Sequence, residues 1–197
     1  MGDPEEPTTW TLSSIALVTW EAAKAFLGLA DADESDVTFL INSISERVKR
    51  LTGRVFVEDD YEEYIEGFGD NVIRLAQYPV TEVTALKIDS SRQFGDSTAL
   101  TSTEYLLEAE AGVIRLYSRV TPRAPGVIYC DYSAGYEIVP EHIQEAVFET
   151  ISWNLGRFRG RGIGMESQSA EGVVVRPTLT IPPSAWSVFM GEKKEFV

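Results

Sequence analysis

Apolar residues recur along this chain with two different periods, and the change of period divides it into helical and extended parts. Near the start, Trp20, Ala23, Phe26 and Leu27 fall on one face at helical spacing, with Thr19 as N-cap, Glu21 at the positive end and Gly28 as the stop. Asp31 to Asp36 supplies a second capping segment. Val37, Leu40, Ile41, Ile44, Val48 and Leu51 then recur at steps of three and four as far as Gly53. The bases of this second helix, Arg47, Lys49 and Arg50, come late, where they complement the negative end of the helix dipole. Helices are predicted over about 19–27 and 36–52.

From Tyr61 to Tyr136 the period becomes two, as in Val72-Ile73-Arg74-Leu75 and Val83-Thr84-Ala85-Leu86-Lys87-Ile88, with Gly and Pro as punctuation. Five or six short antiparallel strands are expected, with the polar stretch Asp89 to Ser102 as a mobile hairpin tip or loop. Pro140 opens a third helix at the position where its missing N–H costs nothing. Ile143, Ala146, Val147, Thr150, Ile151 and Leu155 give that helix, about 140–156, its buried stripe. Gly156, Gly160, Gly162 and Gly164 follow closely and read as a hinge. Beyond it, Gly172 to Val175 suits a strand and Pro183 to Met190 a last helical turn or two, while Trp186, Val188, Phe189 and Phe196 require something to pack on.

The predicted class is α+β: an N-terminal helix pair and a later long helix forming a small bundle, an inserted antiparallel β region, and an extended C-terminal arm. The expected divisions are a flexible arm at 1–14, a core at 15–160 and a hinged arm at 161–197, so that a chain lacking 165–197 should remain a folded monomer.

Composition changes this picture in one respect, the charge. Of the net charge of −14, most belongs to residues 1–70, which carry 16 acids against 5 bases. Such a surface repels phosphate backbones and disfavours tight or sequence-specific DNA binding. No apolar run approaches the roughly 20 residues of a membrane span, and the acidic start Met1 to Pro7 is unlike a secretory signal, which predicts a soluble protein, intracellular when made. Glu6 stands where a myristoylation motif requires Ser or Thr. A single cysteine, Cys130, rules out an intramolecular disulfide and reads as a buried small side chain in an apolar strand.

The candidate chemistry is thin. Asp31 to Asp36 resembles the start of a calcium loop, but Asp36 replaces the glycine and Asn42 the terminal glutamate. Glu58, Asp59, Asp60, Glu62, Glu63 and Glu66 form an acid run able on paper to hold a metal or an acid/base pair, and equally a solvated face. His142 lies in the first turn of the third helix, with no serine in a nucleophile elbow to serve. Gly160-x-Gly162-x-Gly164 follows a helix instead of a strand and lacks the dinucleotide spacing. Arg157, Arg159 and Arg161 either complement the carbonyl end of the third helix or contact an acidic neighbour or a passing nucleic-acid backbone.

Three motifs occur in order over residues 17–83: Leu17-Val18-Thr19-Trp20-Glu21-Ala22-Ala23-Lys24, then Thr52-Gly53-Arg54-Val55-Phe56, then Tyr78-Pro79-Val80. Together with the helix from Pro140, this order resembles the head-tail connector (adaptor, or head-completion) proteins of long-tailed bacteriophages and gene transfer agents. The resemblance implies a non-enzymatic virion subunit at the head-tail junction, made in the host cytoplasm, with no catalytic residues, metal or cofactor. It implies a ring, typically of twelve copies, seated under the portal protein, meeting a tail-side connector or tail-terminator, and extending a channel for DNA. Two other readings stand beside it: a tail-terminator or other virion ring component, and a small hydrolase using the Glu58 to Glu66 carboxylates. On the connector reading, the expected partner interface comprises Arg157, Arg159, Arg161, Val173, Val174, Val175, Trp186, Phe189 and Phe196. The acid run Glu58, Asp59, Asp60, Glu62, Glu63 and Glu66 would form a channel or outer face, along which a polyanion slides instead of sticking.

Overall fold

The structure, a computed structural model, describes residues 10–159, 167–169, 172–174 and 181–194. Its chain divides into two compact units, Met1–Gly53 with Val139–Val197, and Arg54–Ile138.

The first unit is helical. In α1 (Trp20–Leu27) the Thr19 hydroxyl accepts the Ala22 N–H at 3.1 Å, and Gly28 closes the helix at φ 64°, its N–H donating to the Lys24 carbonyl. A 3-10 turn at Asp31–Asp33 leads into α2 (Glu34–Thr52), so the acidic segment initiates a helix, as its capping composition predicts. Val37, Leu40, Ile41, Ile44 and Val48 of α2 are buried, with Ile143, Ala146, Val147 and Ile151 of α3 (Glu141–Arg159). Before α1 the chain is already tied down. Asn42 accepts the Ser13 N–H at 2.9 Å and donates to the Thr11 carbonyl at 2.7 Å, ahead of the start expected near Ile15.

Two expectations for the C-terminal part change. The third helix runs through Gly156 to Arg159, because a single helical glycine costs only about 1 kcal/mol and Asn154 and Leu155 just before it remain buried; the rest of the expected hinge, 160–164, lies outside the described residues. A hairpin of β7 (Ser167–Ser169) and β8 (Gly172–Val174) follows. Then α4 (Pro183–Gly191) packs on α3 and α2 of its own unit, with Ile181, Ala185 and Phe189 buried and the Lys194 N–H donating to the Thr52 carbonyl at 2.8 Å. Residues 181–194 therefore belong to the helical core, and a chain cut at 165 would lose part of it.

The second unit contains six strands: β1 (Asp59–Gly67), β2 (Val72–Arg74), β3 (Val80–Ile88), β4 (Tyr105–Glu108), β5 (Val113–Leu116) and β6 (Ala124–Ala134). They form two antiparallel sheets in the orders β1-β6-β3 and β2-β5-β4. The inner faces share one core. Leu86, Ile128, Cys130 and Tyr132 come from the first sheet and Ile73, Ile114 and Leu116 from the second. Gly135, at φ 119°, lets β6 leave the sheet beside the Val57 and Glu58 backbone, where a Cβ would come within 2.6 Å of the Val57 carbonyl oxygen. The stretch after β3 is structured at its base: Leu100 is buried and its N–H donates to the Leu86 carbonyl at 2.8 Å.

Candidate functional site

Strand alternation splits the acid run. Asp60, Glu62 and Glu66 are exposed, while Tyr61, Glu63 and Ile65 between them are partly buried on the inner side. Asp60 accepts the Ser133 hydroxyl at 2.6 Å, and Glu58 accepts the Thr81 hydroxyl at 2.7 Å. Asp59 stands exposed at the strand's first position and accepts the Asp60 N–H at 3.0 Å. Glu62 faces Asp131 directly across the β1–β6 pair, and Glu82 of β3 faces Ser133. The acidic face is thus wider than the run in sequence, since β6 and β3 add carboxylates to it, and Lys87 stands at one end, opposite Tyr129.

Glu63 is not part of that face. It turns inward, where its carboxylate accepts the Ala76 N–H at 3.1 Å and the Tyr132 hydroxyl, correcting its assignment to a channel or outer surface. Tyr132 in turn accepts the Gln77 N–H at 3.1 Å, and the Gln77 side-chain oxygen accepts the Val55 N–H at 2.9 Å. Burial, with Glu63 beside it, holds the Tyr132 phenol far above its ordinary range, so it stays a donor. Nearby, the buried Arg54 guanidinium lies 4.0 Å from the Tyr78 ring centroid and donates to the Tyr78 carbonyl at 3.0 Å. Two of the three sequence motifs, around Gly53-Arg54-Val55-Phe56 and Tyr78-Pro79-Val80, therefore meet in space. Their role here is to lock the entry of the β unit.

One end of the acidic face carries an aromatic cluster that the sequence pattern did not reveal. The Tyr64 ring, on a residue 65% exposed, lies 5.3 Å from Tyr129 and 5.6 Å from Phe94. Phe94 arrives from the turn after β3, where Asp89 accepts the N–H groups of Ser91, Gln93 and Phe94 and the Ser91 hydroxyl. These bonds hold the Asp89 carboxyl below its usual range, first through the Ser91 hydroxyl. They also hold Arg92 and Phe94 at φ 59° and 49°, left-handed conformations that cost non-glycine residues about 1–3 kcal/mol each. Tyr64, Arg92, Gln93, Phe94, Pro125 and Gly126 line an open depression of about 620 Å³ there.

The outer face of the second sheet has another character. Arg115 is paired with Leu106 on one side and Val72 on the other, with Arg74 and Glu108 both opposite Val113. Leu106 is 46% exposed, and Arg115 forms an ion pair with Glu108.

In the helical unit, His142 is exposed and lies 3.0 Å from Glu192. Among the described residues no cluster of His, Cys, Asp and Glu is arranged to hold a metal ion, and no helix is long and apolar enough to cross a membrane. Of the expected interface residues, Phe189 is fully buried in the helical core, while Trp186 is 38% exposed on α4. Phe189 is a core side chain because α4 turns that face onto α2 and α3. Arg157 and Arg159 fall in the last turn of α3 and Val173 and Val174 in β8. Arg161, Val175 and Phe196 lie outside the described residues, as do the side chains of those four. Cys130 is buried, as expected, and burial pushes its thiol up to about 12.

This arrangement of a helical unit and a two-sheet unit is shared with subunits of particle necks. A chain in the neck of an empty gene transfer agent particle, computed with sixfold symmetry, matches with TM-score 0.62 and 15% identity over 96% of both chains. A chain in the neck of the native particle, computed with twelvefold symmetry, matches with TM-score 0.57 and 16% identity over 96% of this chain and 94% of that one. A third match, in the virion of the native particle, has TM-score 0.59 and 15% identity over 96% of both chains. No curated protein matches. The chain belongs to the head completion protein family, whose model matches residues 16–190. It is a structural head-tail connector component, as its ordered motifs implied.

Proposed function

We propose that copies of this chain close into a ring at the head-tail junction of a phage-like particle, joining the portal to the tail and extending the DNA channel. The observation that carries this is the family match over residues 16–190, on a fold shared nearly end to end with chains from ring-symmetric necks. Twelve copies is the number favoured by the twelvefold neck. The subunit works through surfaces and copy number, with no catalytic step assigned to it. Contact with the portal is assigned to the stretch from Arg157 onward, including Trp186 but not the core residue Phe189.

Removing the gene from a producing strain tests this reading. The expected result is DNA-containing heads and separate tails that fail to join, with joining restored by the supplied protein. Normal tailed particles without it would sink the proposal.

A further inference from the structure

A closed ring requires each copy to present two different surfaces that fit each other, and the β unit carries such a pair. We infer that the outer face of β1-β6-β3 on one copy docks on the outer face of β2-β5-β4 of the next, acidic against basic; this rests on the ring reading above. Both faces turn away from the core their inner sides share.

The first face displays Asp60, Glu62, Asp131 and Glu82, and its bases, Lys87 and Arg92, lie toward the end that carries Tyr64, Tyr129 and Phe94. Glu62 and Asp131 stand directly opposite each other, a cross-strand pairing of like charges that is unfavourable in the free subunit. A guanidinium brought against them by a neighbour removes that repulsion. The second face supplies guanidinium groups: Arg74 and Arg115 are both exposed, flank the apolar Leu106 and Val72, and meet one carboxylate, Glu108.

The apolar parts also correspond. Tyr64 is 65% exposed and Leu106 is 46% exposed, each beside the charges of its own face. Tyrosine and arginine are among the side chains most enriched as interface anchors. The Asp89-centred turn holds Phe94 against Tyr64 and Tyr129, so the aromatic end is built before a partner arrives. The same charges select the symmetry. Two acidic faces repel each other, which disfavours a twofold dimer through this surface and favours the head-to-tail contact that propagates around a ring.

The test is charge reversal in the full-length protein, with assembly followed by native mass spectrometry and sedimentation velocity, alone and with the portal ring. E62K/D131K on one face, or R74E/R115E on the other, should raise the concentration for half-assembly at least about tenfold. The quadruple variant, with both faces reversed, should bring it back to within about threefold of the original. A thermal melt of each variant identifies misfolding, and Leu106→Asp and Tyr64→Ala provide a second route to each face. As a second readout, Tyr64→Cys/Leu106→Cys chains should cross-link into a ladder of multiples on oxidation. Unreversed protein that stays monomeric even with the portal overturns the ring reading and this inference with it. A ring that tolerates both single-face reversals overturns the face assignment alone. Loss in both that the quadruple variant fails to restore overturns the pairing of these two faces.

Discussion

In the helical unit cohesion comes from apolar stripes on α2, α3 and α4, whereas in the β unit a partly buried polar chain of Gln77, Tyr132 and Glu63, with Arg54 held beside it on the Tyr78 carbonyl, joins the segments around an apolar core. The units also differ outside. The β unit presents two sheet faces of opposite charge, while α1 is capped by the Thr19 hydroxyl and closed by the Gly28 N–H on the Lys24 carbonyl. Apolar packing is tolerant of detail and directed inward. Polar networks fix one register, and fixed register is what a subunit needs if its outer charges are to meet a neighbour's.

The contrast can be broken most strongly in the helical unit. Phe189→Ala should cost about 3–5 kcal/mol, because it empties a fully buried site between α4 and its neighbours; a thermal melt measures it. A change below about 1 kcal/mol would show that α4 does not contribute to the core and would return it to the free arm expected from sequence.

A smaller effect is expected in the β unit from Tyr132→Phe. It keeps the ring but leaves the Glu63 carboxylate and the Gln77 N–H short of a partner, at about 1–3 kcal/mol. Denaturant unfolding should give a lower midpoint. An unchanged midpoint would mean the polar chain is incidental to the strand register.

The smallest effect is local and depends on pH. The Asp89 carboxyl is depressed by the bonds it accepts, so it favours the turn above the ordinary carboxylate pKa near about 3.9, and this contribution disappears as pH falls through the lower, native value. The amide resonances of Gln93 and Phe94 should shift in that acid window, and Asp89→Asn should remove the pH dependence at those amides. A turn equally ordered at both ends of the titration would mean Phe94 is held by its ring contacts alone.

The helices were legible because spacing of three and four residues is a local signal. Thr19, Gly28 and Gly53 stand at the ends their chemistry requires. Strand alternation was legible too, and with it the number of strands. Which strands share a sheet was not, since β1 pairs with β6, joining Asp59 to Ala134, and nothing local encodes that partner. For the same reason an acid run that looked continuous divides between outside and inside at Glu63. Arg54 stood in one of the ordered motifs, but its burial was not legible because arginines are rarely buried, and here the Tyr78 carbonyl and ring make burial possible. The ordered motifs nevertheless led to the right family. Their residues hold the fold together, which is why they carried information about fold and little about surface.

The central claim is that this chain works as one of several identical copies in a ring, and its mass in solution tests that most directly. Native mass spectrometry of the purified protein, alone and mixed with the portal ring, should show a discrete closed multiple of the 21.9 kDa subunit in at least one condition. A strict monomer in both would contradict it.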